Sequence, residues 1–280
     1  MAQVKGHSGG GRATVTSTTP TQFWKDDVLT IHLMIPDSHA HPDFSNKRYS
    51  LLGALIRDVK PDVVIDIGDW WDLPSLCSYD KGTKSFEGRR YKRDIAAGVE
   101  AQDRLLSVLR KGKKKLPRFV RTLGNHENRI NRAIDRDPVL EGTIGLADLQ
   151  SKEYHWEEHP FLEPVNVDGI NYAHYFTTGV MGRPVSGESP ARSLILKQLS
   201  SCSMGHVHTF DYHTRTDTSG RRVHGLVGGV YQDYHADFAG PANKLWRKGV
   251  VIKHNVNKGD YDLQWVSLEA IEKAYRNERF

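Results

Sequence analysis

The chain has 280 residues, of which 38% are hydrophobic and 26% are charged, a balance typical of a globular protein with a sizeable core. No run approaches the roughly 18 apolar residues of a membrane-spanning helix, and the N-terminus lacks the basic start and apolar run of a secretory signal. The formal charge of +5 favours anionic partners, although many enzymes without nucleic-acid substrates share such an excess.

The first half of the chain alternates between strand-like and helix-like segments. Residues 1–22 are rich in Gly, Ser and Thr, which predicts a flexible tail ahead of a single domain over 23–280. Strands are predicted over 28–35, 62–67 and 118–123, and helices over 46–60, 93–115 and 127–135. This alternation indicates βαβ units and an α/β fold.

The second half has shorter segments and more turns. Its pattern predicts a hairpin over 163–176 that turns at Asp168-Gly169, a helix over 190–200, strands over 221–231, 249–256 and 261–268, and a final helix from about Leu268. Because there is no clear linker and no internal repeat, one domain with two sheets is the simplest interpretation.

Polar clusters follow the first three predicted strands, and two more occur later in the chain. The five clusters are Asp37-Ser38-His39, Gly68-Asp69-Trp70-Trp71-Asp72, Gly124-Asn125-His126-Glu127, the single His174, and Gly205-His206-Val207-His208. In α/β sheets, ligands bind where the carboxyl ends of strands open into a crevice, so these clusters are expected to converge. The glycine that opens three of them allows the backbone to turn sharply.

The spacing and chemistry of these clusters point to a metal site. Residues i and i+2 of an extended chain point to the same side, so Asp37 and His39 are expected to face one point, as are His206 and His208. The donors are oxygen and nitrogen without sulfur, which suits divalent Mn, Fe, Zn, Ni or Mg. The chain has 14 histidines, a residue type that is a common metal ligand.

The two cysteines argue against a cysteine-based site. Cys77 and Cys202 lie far apart and form no CxxC pair, so neither a disulfide framework nor a cysteine zinc site is expected. A reducing, cytoplasmic setting fits this usage best.

Taken in order, the motifs D-x-H, G-D-x-x-D, G-N-H-E, a single His and G-H-x-H resemble the calcineurin-like metallophosphoesterases. The resemblance extends from Asp37 to His208. It implies an α/β/β/α sandwich of two mixed sheets flanked by helices, with a metal site at the carboxyl ends of the strands. It also implies two divalent metal ions as cofactors, with Mn favoured over Fe, Zn, Ni and Mg.

The resemblance further implies a role for each matching residue. One metal would be held by Asp37, His39, Asp69 and His208, and the other by Asp69, Asn125, His174 and His206. His126 would stabilise the transition state at the substrate phosphate and help to protonate the leaving oxygen without binding metal, and Asp72 would orient it. His155 and His159 compete with His174 for its role.

The implied reaction is hydrolysis of a phosphate ester by hydroxide that the two metals activate. The positive charge, Trp70-Trp71 and the basic insertion 75–93 weakly favour a phosphodiesterase or nuclease acting on nucleotides or nucleic acid. A phosphomonoesterase acting on proteins or small metabolites needs none of these features. A non-catalytic scaffold is less favoured because His126 and every proposed ligand are present, and a nucleic-acid-binding module without chemistry would leave those ligands unexplained.

Candidate substrate contacts are Trp70, Arg129 and Arg132, and no membrane partner or oligomeric state is predicted. One ring of the Trp70-Trp71 pair could stack on a base, although core packing is expected of at least one. Arg129 and Arg132 could clamp a phosphate or form a solvated helix face. The insertion 75–93 could contact substrate or be disordered. The basic run 110–115 is better explained by the helix dipole than by a nucleic-acid patch.

Two further histidines, His41 and His235, are the best candidates for secondary substrate contacts among the remaining histidines.

Overall fold

The structure is a computed structural model that describes residues 29–111, 115–278 and 280. The predicted tail over 1–22, the start of the predicted domain at 23–28 and the middle of the basic run at 112–114 lie outside the described residues. The α-helices are α1 (Lys47–Val59), α2 (Tyr91–Arg110), α3 (Arg129–Arg136), α4 (Pro190–Gln198) and α5 (Leu268–Ala274). No helix in these ranges is long and apolar enough to cross a membrane.

The strands form two mixed sheets and a small ribbon. Their bounds are β1 (Thr30–Ile35), β2 (Val63–Asp66), β3 (Arg118–Thr122), β4 (Trp156–His159), β5 (Val165–Val167), β6 (Ile170–Tyr172), β7 (Thr177–Thr178), β8 (Arg183–Pro184), β9 (Cys202–Met204), β10 (Phe210–Thr216), β11 (Arg222–Gly228), β12 (Gly249–Asn257) and β13 (Asp260–Ser267). The first sheet has the order β13-β12-β1-β2-β3-β4, and the second has the order β10-β11-β9-β6-β5.

The direction of the strands places five carboxyl ends where they can meet. In the first sheet β1, β2, β3 and β4 are parallel, β12 runs antiparallel to β1, and β13 runs antiparallel to β12. In the second sheet β6, β9 and β11 are parallel, whereas β5 and β10 are antiparallel. The parallel strands β1 and β2 are apolar on both faces, as expected when a sheet is covered on both sides.

Three apolar clusters show the layers of the molecule. Leu33 and Ile35 of β1 point into a cluster with α1, α2 and α5, while Met34 between them points to the second sheet. This alternation follows from the two-residue period of a strand. A third cluster joins α4 to the outer face of the second sheet. The α/β/β/α sandwich of two mixed sheets expected from the sequence is therefore confirmed.

A buried arginine anchors the tryptophan pair in the core of the first sheet. Arg121 lies in the middle of the Trp70, Trp71 and Trp156 rings, at 5.0, 5.0 and 4.3 Å from their centroids. Its Nε donates to Asp66 Oδ2 at 2.6 Å, and both side chains are about 1% exposed. Burial raises the pKa of Asp66, and the guanidinium opposes that rise.

We expect Arg121→Met to lower the free energy of unfolding by about 3–5 kcal/mol, because the buried carboxylate of Asp66 would lose its ion partner. Urea denaturation of the variant and the unchanged protein measures this difference. The double variant that also carries Asp66→Asn should recover part of the loss. A single variant within about 1 kcal/mol of the unchanged protein would show that the pair contributes nothing to stability.

Candidate metal centre

The proposed ligands lie in loops that follow β1, β2 and β3 of the first sheet and β6 and β9 of the second. Backbone hydrogen bonds connect these loops: His39 N donates to Asp69 O at 2.9 Å, and Gly205 N donates to His174 O at 3.0 Å. His206 N donates to Asp37 Oδ2 at 2.6 Å, which joins the loop of β9 to that of β1. The five sequence clusters therefore meet at one edge of the sandwich.

Two buried groups in this region could each hold a metal ion. The first is Asp37, Asp69 and His174, and the second is His39, Asp69 and His126. Within each group the possible ligand atoms lie within 4.8 Å of one another. Asp69 is shared by both groups, which is the arrangement that a bridging carboxylate requires.

The remaining proposed ligands lie in contact with these groups. Asn125 Oδ1 is 2.9 Å from His174 Nε2 and 2.8 Å from His206 Nδ1. His39 Nε2 and His208 Nε2 are 3.2 Å apart. Two histidine nitrogens that bind one ion at about 2.0–2.1 Å in tetrahedral geometry lie about 3.3 Å from each other. All seven proposed ligands are thus brought together, and the His39–His208 separation suits a shared cation.

The buried polar atoms fit a cation. Asp37 is fully buried, and its Oδ1 has no hydrogen-bond partner among the described residues. His174 Nδ1 lies 3.5 Å from this oxygen, and a bound cation would add the positive charge that a buried carboxylate requires. Burial lowers the pKa of His206 to about 4 and that of His208 to about 3. Both rings are therefore neutral at neutral pH, the form in which imidazole binds metals.

The pKa values of the two carboxylates of the centre are shifted in opposite directions. Burial raises the pKa of Asp37 well above its usual range. It would also raise that of Asp69, but the His126 and His174 imidazoles hold the Asp69 pKa well below its usual range. His174 Nδ1 lies 3.1 Å from the carbonyl oxygen of Ile67, and its Nε2 lies 3.3 Å from Asp69 Oδ2. Burial lowers the pKa of His174, but the carboxylates of Asp69 and Asp37 outweigh it and raise that pKa to about 9. A metal ion bound at Nε2 would displace the proton from that nitrogen.

Four of the seven proposed ligands have a left-handed rather than an extended backbone, which corrects the reason expected for their convergence. The φ angles of His39, Asp69, His206 and His208 are 46°, 56°, 70° and 60°. Non-glycine residues rarely adopt this region, and such strain clusters at functional sites. The side chains of Asp37 and His39 therefore meet through a turn after β1, not through the alternation of a strand.

Two of the motif glycines provide space rather than a sharp turn. A Cβ atom on Gly124 would lie 2.0 Å from Asp69 Oδ1, and one on Gly205 would lie 2.4 Å from Asp37 Oδ1. Only glycine allows the backbone to approach these carboxylates so closely. Gly68 does adopt the turn conformation expected of it, with φ at 97°.

His126 is held by Asp72 and Arg129. Its Nδ1 lies 2.7 Å from Asp72 O and 3.0 Å from Asp72 Oδ1, which places the proton on Nδ1. Arg129 donates to His126 Nε2 at 3.0 Å and to Asp72 O at 2.6 Å. Arg129 therefore reaches the centre, where its hydrogen-bond partners are protein atoms.

The other proposed substrate contacts lie elsewhere. Trp70 is fully buried and donates from Nε1 to Gly98 O at 3.2 Å, so its ring is not available to stack on a substrate. The burial of Trp70 is therefore explained by its packing against Arg121 rather than by substrate recognition. Arg132 lines a separate cavity of about 140 Å³ beside Arg136.

The alternative histidines have other partners. His155 Nε2 lies 3.4 Å from an Arg110 nitrogen, and His159 Nε2 lies 3.1 Å from Glu157 Oε1. His41 and His235, the candidates for secondary contacts, line a cavity that adjoins the centre.

Glu127 is a supporting residue to which sequence reasoning assigned no role, although it is the last position of the G-N-H-E motif. Its Oε2 accepts from Asp69 N at 2.9 Å and from Gly124 N at 2.7 Å, and its Oε1 accepts from Trp71 N at 3.0 Å. Burial and the nearby carboxylates of Asp69 and Asp66 raise its pKa to about 7. One side chain thus fixes the loops that carry Asp69 and Asn125.

We expect Glu127→Gln to lower the free energy of unfolding by about 2–4 kcal/mol, because an amide N–H₂ would face a backbone donor. Metal affinity should also fall, by about tenfold to hundredfold, since the ligand loops lose their common support. Urea denaturation and metal titration measure the two effects. Glu100→Gln, at an exposed carboxylate on α2, is the control, and equal behaviour of the two variants would contradict this role.

Comparison with known proteins finds likeness only among solved structures. No known family matches the chain, and no curated protein matches it. The nuclease MPE of Pseudomonas putida aligns over 83% of this chain and 87% of its own, at 13% identity and a TM-score of 0.37. The protein TT1561 of Thermus thermophilus aligns over 85% of this chain and 99% of its own, at 10% identity and a TM-score of 0.36. Identity and TM-scores are low, so the function must be inferred from the centre itself.

Proposed function

We propose that the chain is a two-metal phosphoesterase of the calcineurin-like metallophosphoesterase family. The observation that carries this proposal is the pair of buried His/Asp groups that share Asp69 at the carboxyl ends of the strands. Two divalent ions would bring four positive charges, and the carboxylates of Asp37 and Asp69 would remove two. The resulting excess of positive charge suits an anionic phosphoryl group.

Two bound metals would supply a nucleophile and stabilise the attacking and leaving oxygens of an in-line displacement. The residues of the chain supply the rest. The His126 and His39 rings meet edge to face, with centroids 4.7 Å apart, and His126 Nδ1 is held by Asp72. In this position His126 can stabilise the phosphoryl group, with Asp72 and Arg129 as its positioning residues. It can help to protonate the leaving oxygen once its Nε2 has released Arg129 and taken up a proton.

Within this class we favour a phosphodiester over a monoester. The cavity beside the centre has a volume of about 590 Å³ and is lined by Arg89, Arg90, Arg93 and Arg129. Three of these arginines, Arg89, Arg90 and Arg93, belong to the insertion 75–93, for which the sequence left substrate contact and disorder both open. A lone phosphate group needs far less space than this cavity offers, and its several arginines suit a substrate that carries more than one phosphate, such as a strand of nucleic acid.

The decisive experiment compares an aryl phosphomonoester with an aryl phosphodiester. Metal-stripped protein is reloaded with Mn, Ni, Zn or Mg, and the release of the aryl alcohol is followed. We expect hydrolysis that depends on added metal and favours the diester. Turnover of the monoester alone would indicate the phosphomonoesterase alternative, and no turnover with any metal would indicate a non-catalytic scaffold.

A further inference from the structure

The cavity beside the metal centre has one aromatic wall and one arginine wall. It reaches the centre at His39 and Asp72. The aromatic wall consists of Phe44, Tyr234 and His41. Cavities of about 300–1,000 Å³ accommodate small organic molecules, so its volume of about 590 Å³ suits a molecule with a planar ring and a charged group.

The aromatic wall is a rigid stacked pair. The rings of Phe44 and Tyr234 are parallel within 5°, with centroids 4.0 Å apart, and His41 lies 5.0 Å from Phe44. Tyr234 is fixed because its hydroxyl donates to His39 O at 3.0 Å. Phe44 is 43% exposed, so part of its ring is open to solvent at the edge of the cavity. A flat ring held in place and open to solvent is what base stacking requires.

The arginine wall consists of Arg89, Arg90 and Arg93 of the insertion 75–93, and of these three only Arg90 has no acidic partner among the described residues. Arg89 pairs with Asp80 at 2.6 Å, and Arg93 pairs with Asp43 at 2.8 Å. Arg90 is exposed and donates to the carbonyl of Arg89 at 2.8 Å. Within the described part of the chain no carboxylate pairs with it, so its remaining donors are available to an anion.

We propose that this cavity binds a nucleoside attached to the scissile phosphate, with the base against Phe44, and that Arg90 binds the next phosphate of the strand. The inference rests on the proposed function and narrows its substrates to nucleotide diesters. It also moves the expected stacking surface from the buried Trp70-Trp71 pair to the Phe44–Tyr234 pair. The base would lie beside His39 while its phosphate reaches the metals.

Two substrates with the same leaving group measure the contribution of the nucleoside to kcat/KM. They are methyl p-nitrophenyl phosphate and the p-nitrophenyl ester of thymidine 5′-monophosphate, measured with Mn-loaded protein. We expect the unchanged protein to prefer the thymidine ester at least tenfold in kcat/KM. Phe44→Ala should lower kcat/KM for that ester about tenfold, within the range that stacking on one ring contributes, and change the methyl ester less than twofold. Phe44→Trp should retain the preference.

Two control variants make the same kinds of substitution at residues outside the cavity. Phe280 is 40% exposed, almost the same fraction as Phe44, and Phe280→Ala should leave the hydrolysis of both esters unaffected.

For the phosphate contact, Arg90→Gln should lower kcat/KM for a short oligonucleotide about fivefold and leave kcat/KM for the thymidine ester unchanged. Lys92→Gln, at an exposed cation on α2 that is not part of the cavity, should change neither substrate.

Each contrary result has a separate meaning. Equal losses on both esters in Phe44→Ala would show that the aromatic pair only supports the centre, which overturns the inference. A protein that hydrolyses both esters equally well remains a phosphoesterase but does not bind the nucleoside in this cavity. Failure to hydrolyse either ester with any metal removes the proposed function and the inference with it.

Discussion

Asp69→Asn should lose both metal ions and more than 99% of the activity. Asp69 is the one residue shared by the two candidate metal groups, so its carboxylate is the bridge on which both positions depend. An amide has one good acceptor oxygen and no charge, and it cannot offset two dications as a carboxylate does. Metal content after dialysis, measured by mass spectrometry, should fall from two ions to fewer than one per chain.

The matched control is Asp94→Asn. Asp94 is also fully buried, and burial raises its pKa to about 6, so its site already tolerates a neutral group better than most buried carboxylates. Its partner is the Ser75 backbone N–H, and it belongs to neither metal group. This variant should keep both ions. An Asp69→Asn protein that retains two ions per chain would refute the bridge, even if its activity is lost.

The sequence correctly predicted the strands that have a strong hydrophobic pattern. Strands β1, β2 and β3 were predicted within two residues because continuous apolar runs are needed where both faces of a sheet are covered. Strands β4, β7, β8, β9 and β10 were not predicted. Strand β10 has seven residues, most of them polar, and four of the missed strands have only two to four residues. Strands β4 and β9 acquire their structure from neighbours that are distant in sequence. Segments this short have too few residues to show a period.

The same limit applies within the site. The identities of the convergent residues could be predicted from their motifs, but the left-handed backbone of His39 and Asp69 could not, because it depends on contacts between loops. Helix α3 begins at Arg129, two residues later than predicted, a difference of the size that is common at helix ends. Phe44 has no sequence signal except its proximity to His39 and His41.

The Trp70-Trp71 pair shows how a partner buried elsewhere in the chain changes the interpretation of a motif. In the sequence it stands beside acidic residues that suggest a site. In the structure Arg121 of β3 packs against both rings, and all three side chains are buried in the core. A cation that binds three aromatic rings and a carboxylate at once cannot be inferred from residues fifty positions away.

His126→Ala should lower kcat by about 10²–10⁴-fold, the usual contribution of a positioned acid or base, while metal content stays at two ions per chain. His126 is close enough to His39 and Asp69 to be counted with them as a candidate ligand. However, Arg129 donates to its Nε2 at 3.0 Å, and that lone pair cannot bind a cation at the same time. His208 Nε2, 3.2 Å from His39 Nε2, provides the alternative ligand.

Two measurements separate the roles of His126. If it protonates the leaving oxygen, the loss in His126→Ala should be much larger for a nucleoside leaving group than for p-nitrophenolate, which departs without a proton. His254→Ala, at a histidine of β12 that contacts Gln264 at 2.7 Å, is the control and should change neither rate nor metal content. An equal loss for both leaving groups would restrict His126 to stabilising the phosphoryl group. A loss of one ion per chain would instead indicate that His126 is a metal ligand.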